Sequence, residues 1–172
     1  MSRLILAGAF ALAAAIVAPQ ARAENPFGLE VPGWSSRQAQ TGTVYFSCER
    51  ESCGGSEAVI SISRRNRAQD LTLEKFQETQ ALINANILKY GARSSTLGPA
   101  MVADATQKPV KIFTMPRDVV DKEGQARFYH NALLVGPAAS LSVVSEGGTR
   151  KVATDNFRLL LPRLIDLALA LR

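Results

Sequence analysis

Along this chain the apolar residues change period, and that change restricts the fold more than any other feature. In residues 43–48, Val44, Phe46 and Cys48 share one face; in residues 58–63, Ile60 and Ile62 alternate with Ser61 and Ser63. A period of two is that of a strand with one covered face. Residues 73–90 shift to the helical period, with Leu73, Phe76, Ile83, Ile87 and Tyr90 on one stripe and Gln80 as its polar exception. Thr72 suits the N-cap, Leu71 and Phe76 are spaced for a hydrophobic staple, and Gly91 suits the C-terminal stop. The stripe is expected to be hidden against a sheet. A period of two then returns in residues 100–104, 110–115, 127–135 and 141–145. The charged stretch 117–124 reads as the hairpin loop between the second and third of these, and Gly136-Pro137 and Gly147-Gly148 read as breaks. From Thr149 or Thr154 to Leu171 the helical period resumes, with Leu160, Leu164, Leu167 and Leu171 on one stripe and Pro162 as a kink or restart. Two strands, a helix, three or four strands and a helix describe an α+β class: a mainly antiparallel sheet with two main helices packed on it.

The N-terminus obeys a different logic. Arg3 precedes an uncharged apolar run over residues 4–17, and Ala21-Arg22-Ala23 places small residues where a signal peptidase reads. The run is shorter than the about 20 residues a membrane span needs. Residues 1–23 are therefore expected to be a cleavable signal peptide, residues 24–172 a single domain with an extended leader over 24–34, and the location periplasmic or secreted, of bacterial style. With no span elsewhere, no transmembrane anchor is expected after cleavage. Removing 23 of 172 residues leaves 149, enough for one full core. Arg3 and Arg22 leave with the signal, so 18 basic residues face 15 acidic ones and the net charge drops from +5 to +3. That mild surplus lacks the dense basic stripe of a nucleic-acid binder, and no nucleic-acid partner is expected.

Cys48 and Cys53 are the two cysteines. In an oxidising compartment a close pair reads as a disulfide, here stapling the loop between the first two strands. A redox-active pair would ordinarily have two residues between the cysteines and a helix N-terminus beside them; four residues intervene here. His130 is the single histidine, so a soft-metal site lacks ligands, and neither metal nor cofactor is expected.

Three stretches carry a resemblance to a known family. They are residues 58–63 leading into the helix from Leu73, residues 127–135, and residues 141–145 followed by the last helix. Their order resembles the PsbP-like α/β/α sandwich, a group that includes many small exported bacterial proteins. The resemblance implies an accessory, assembly or binding role and carries no shared active site onto this chain. The cysteine pair has no counterpart in that pattern.

The remaining candidates are few. Arg64, Arg65 and Arg67 cluster before the first helix and are candidates to receive an anion or an acidic partner, against the plainer reading of a solvated turn. His130 as a general base would need a nucleophile and an orienting carboxylate, and no Gly-x-Ser-x-Gly elbow is present. Asp118, Asp121 and Glu123 are hard oxygen ligands, but Lys122 and Arg117 compete with any cation. The reading is an exported non-enzymatic accessory or binding protein whose partner is an envelope protein or a small ligand. The alternative is an enzyme, either a thiol-disulfide protein using Cys48 and Cys53 or a hydrolase using His130.

Overall fold

A computed structural model of the chain describes residues 25–68, 70–105 and 108–171. The signal-peptide reading of residues 1–23, and Glu24 after it, lie outside the described residues. Eight strands form one sheet: β1 Trp34–Gln38, β2 Val44–Cys48, β3 Val59–Asn66, β4 Ala92–Leu97, β5 Met101–Asp104, β6 Lys111–Asp121, β7 Ala126–Val135 and β8 Ala139–Gly147. The helices α1 Leu73–Tyr90 and α2 Arg150–Ala170 complete the order. The strands lie in the order β1-β2-β3-β8-β7-β6-β4, with β5 also on β6, and every pairing is antiparallel. The α+β class with a mainly antiparallel sheet follows from this directly.

Alternation along the strands sorts side chains between two faces. Ile112 and Leu134 pair across β6 and β7 and join Leu160 and Leu164 of α2 in the main core. Their neighbours Phe113 and Leu133 point the other way and pack with Phe76 of α1. The N-terminal hairpin feeds the α2 side through Val44, Phe46, Ile60 and Ile62, all essentially inaccessible. Both helices start on the expected chemistry: Thr72 accepts from Lys75 N–H at 3.3 Å, and Thr149 accepts from Val152 N–H at 3.2 Å. Helix α2 runs through Pro162 as one helix, so Thr149 is its start and Pro162 does not restart it.

Two expectations fail. The stretch 117–124 is not a loop: Arg117 to Asp121 continue β6, and the turn is confined to residues 122–125. Arg117, Val119 and Asp121 keep the period of two that Phe113 and Met115 began, and it passed unread because an arginine sits where an apolar residue was expected. The stripe of α1 is also only half hidden. Leu73 and Phe76 pack, while Ile83 is 40 % and Tyr90 69 % exposed. Strands β1 and β4 were likewise not anticipated. Their sequences WSSRQ and ARSSTL are polar edge strands with little apolar alternation.

Pro116 sits mid-strand without breaking the sheet. Strand β6 is flanked on its outer side by β5 up to Thr114 and by β4 from Arg117, so the missing N–H falls in the gap between them.

Candidate functional site

Helix α1 packs along β4 and β6, and so covers only one end of its face of the sheet. Toward β7 and β8 that face stays open, and a groove runs between it and the C-terminal half of α1. Its inner part, about 280 Å³, is lined by Gln80, Ile83 and Ile87 of α1 and by Arg117, Tyr129, Asn131 and Val144 of the sheet. A second stretch of about 480 Å³ shares Ile87, Val119 and Tyr129 and extends to Arg127 and Glu146.

The floor is set by strand register. Arg117 of β6 faces Tyr129 of β7, which faces Glu146 of β8, so the three form one cross-strand row. Arg117 is 4 % exposed. Its guanidinium donates to Gln80 Oε1 at 2.8 Å and more weakly to the Gln80 carbonyl at 3.4 Å, while Nε has no partner. Among the described residues no carboxylate lies within ion-pair distance of it. Burial pushes the Arg117 pKa down, and the neighbouring Tyr129 opposes this in part. Glu146 lies two strands away, about 10 Å at ordinary strand spacing, and is engaged elsewhere. Tyr129 hydrogen-bonds it, and Arg127 Nε approaches it at 3.9 Å. Burial first, and Glu146 second, raise the Tyr129 phenol to about 12, and burial raises the Glu146 carboxyl. Asn131 is turned down, its Nδ2 donating to the Met115 carbonyl at 3.1 Å. The result is a largely apolar inner groove with a desolvated cation at its floor held by neutral acceptors alone, opening into an outer stretch that carries Glu57, Asp121, Arg127 and Glu146.

Of the residues singled out from sequence, Asp121 lines the outer stretch of the groove and the other candidates lie elsewhere. Cys48 and Cys53 are disulfide-bonded and buried, 4 % and 9 % exposed, beside Trp34, Ala58 and Val152. Asn156 of α2 donates to the Cys53 carbonyl at 2.8 Å, which ties the stapled loop to the main helix. Gly54 follows at φ +100°, and a Cβ there would meet Val152 Cγ1 at 2.6 Å, so the loop needs glycine to seat. His130 faces α2 and stacks on Phe157 with ring centroids 4.5 Å apart. Its cross-strand neighbour is Ser145, and His130 Nε2 and Ser145 Oγ are both buried without a partner. The groups that bear on the imidazole are burial and Arg158, with no carboxylate to orient it. Arg64 and Arg65 point to opposite faces of β3, opposite Leu141 and Ser140 respectively, and Arg67 lies just beyond the strand. Asp118 pairs with Arg150 and Asp121 Oδ1 caps the turn at Gln125 N–H, again on opposite faces. Among the described residues no group of acidic, cysteine or histidine side chains is placed to hold a metal, and no helix is long and apolar enough to cross a membrane.

A larger cleft of about 980 Å³ lies between the leader and β1, lined in part by Trp34, Phe46 and Arg163. Arg163 is exposed and already donates to the Glu30 carbonyl, so that cleft lacks the unmet charge of the groove.

Sequence reasoning passed over Arg117 and Gln80. Each broke an apolar pattern, Gln80 the stripe of α1 and Arg117 the alternation of β6. Two polar breaks in facing apolar patterns were the signal.

No family model matches the chain, and none of the curated proteins matches it in sequence. Solved structures do share its fold. Cyanobacterial PsbP (CyanoP) from Synechocystis sp. PCC 6803 superposes with a TM-score of 0.52 at 14% identity, covering 81% of this chain and 80% of that one. The Ran-binding protein Mog1p of Saccharomyces cerevisiae superposes with a TM-score of 0.49 at 12% identity, covering 78% and 76%. The chain is thus PsbP-like in fold.

Proposed function

We propose that this protein is an exported, non-enzymatic binding domain. In this reading residues 1–23 direct export and are removed, and residues 24–172 form a single α/β/α sandwich in the periplasm or beyond. The groove between α1 and the open sheet face receives a ligand or partner. The PsbP-like fold supports the architecture, and the apolar run with its Ala21-Arg22-Ala23 site supports export. The observation that carries the binding role is Arg117: a buried cation with neutral partners and an unpartnered Nε at the floor of the largely apolar inner groove. A buried charge left unpaired costs stability, and such costs are retained where a ligand repays them.

Native mass spectrometry of the protein purified gently from its own cell envelope tests this. A stoichiometric added mass, lost in a variant with Ile87→Lys in the groove wall, is the expected result. The same spectrum reports export, since cleavage leaves Glu24 as the first residue. A chain that retains residues 1–23 and carries no added mass under any purification would sink the reading.

A further inference from the structure

Resting on that binding role, we infer that the groove takes a small monocarboxylate with an apolar body, its carboxylate seated on Arg117. Three observations narrow the ligand to this class. Among the described residues that line the inner groove Arg117 is the one cation, so a single negative charge is matched, whereas a phosphate dianion would need more donors. The guanidinium Nε is buried and has no partner, and its planar fork suits a carboxylate as a lysine would not. Around that head Ile83, Ile87, Val119 and Val144 of the inner groove supply a lining for hydrocarbon. The inner volume of about 280 Å³ holds roughly nine waters at liquid density, so the body is of the order of ten heavy atoms. Gln80 holds Arg117 in place without neutralising it, which leaves the charge for an incoming anion.

The test uses octanoate and 3-phenylpropanoate as probes, each with its neutral primary amide, titrated into the uniformly labelled full-length mature protein and followed by amide shifts. The expected result is that at least one acid moves the amides of Arg117, Ile83 and Val144, and binds about tenfold or more tightly than its amide. Arg117→Met removes that preference. Gln80→Glu is the sharper variant, because it supplies an internal carboxylate at the same position. It should fold at least as stably as the parent while losing acid binding about as completely as Arg117→Met. Acids and amides that bind equally, no shift in the groove from either acid, or acid binding that survives Gln80→Glu would each overturn the carboxylate assignment. A neutral molecule recovered with the native protein and mapped to the same amides would overturn it too, while leaving the binding role intact.

Discussion

Gln80 Oε1 accepts a 2.8 Å hydrogen bond from Arg117, and this contact joins the middle of α1 to β6 beneath it. Neither residue is satisfied without the other. Gln80→Leu leaves a desolvated cation with no side-chain acceptor, and should cost about 2–3 kcal/mol. Arg117→Met should cost less, about 1 kcal/mol, because it removes the charge along with the contact. The double variant should recover most of the loss in Gln80→Leu. Urea denaturation of the four proteins measures the coupling, and simple additivity would show that the two residues act independently.

The stapled loop is a structural device by its burial. Cys48→Ser/Cys53→Ser should keep the sheet, seen by far-ultraviolet circular dichroism, and lose about 2 kcal/mol. Reduction of the parent by dithiothreitol should be slow until denaturant opens the loop, because both sulfurs lie under Trp34 and Val152. Rapid reduction under native conditions would show instead that the pair is poised for exchange.

His130 links stability to pH. Burial first and Arg158 second hold its imidazole below the ordinary 6.5, so the unfolded chain takes up a proton more readily than the native one. The contribution is whole above 6.5 and is lost as pH falls from there through the lower folded value. Glu146, whose carboxyl is raised, works in the opposite sense: its contribution is present in acid and is lost as pH rises through its folded value. His130→Gln keeps Glu146, so the difference between the two stability profiles isolates the imidazole. The variant should show a flatter profile just below 6.5 than the parent. Identical slopes would mean that His130 titrates normally in the folded protein.

The two helices should differ in their tolerance of truncation. Leu164 of α2 is fully buried under the sheet, and Leu164→Ala should cost about 3 kcal/mol. Tyr90 ends α1 with most of its ring in solvent, and Tyr90→Ala should stay within about 0.5 kcal/mol. Chemical denaturation checks both, and an equal cost would mean that the end of α1 is covered by something in solution.

The elements with strong periodicity were legible in the sequence, and the reason is the same throughout. Ile60 and Ile62, or Leu160 and Leu164, must be buried, and only one period buries them together. Thr72 at the start of α1 was readable because capping chemistry is local. The edge strands β1 and β4 were not, since an edge strand with a solvated face has little apolar residue to reveal it. Nor was the groove. It depends on α1 stopping short of β7 and β8, which is a matter of where a helix lies on a sheet and not of its own pattern. Arg64 and Arg65 read as neighbours in sequence, but adjacent residues on a strand face opposite ways, which a run of letters does not show.

Strand β3 lies between β2 and β8, with Asn66 opposite Ala139, so the earliest strands are sealed by one of the latest. For a chain that emerges N-terminus first, from a ribosome or through a membrane channel, this sets an order of events. The hairpin of β2 and β3 can form early, but alone it is marginal in water. Its apolar face waits for Leu141, Val143 and the whole of α2 before it is covered. Until then the strands before β8 remain loose enough to thread, and commitment comes in one late step, when residues 139–171 arrive. A chain cut before β8 would therefore have no smaller fold to fall back on.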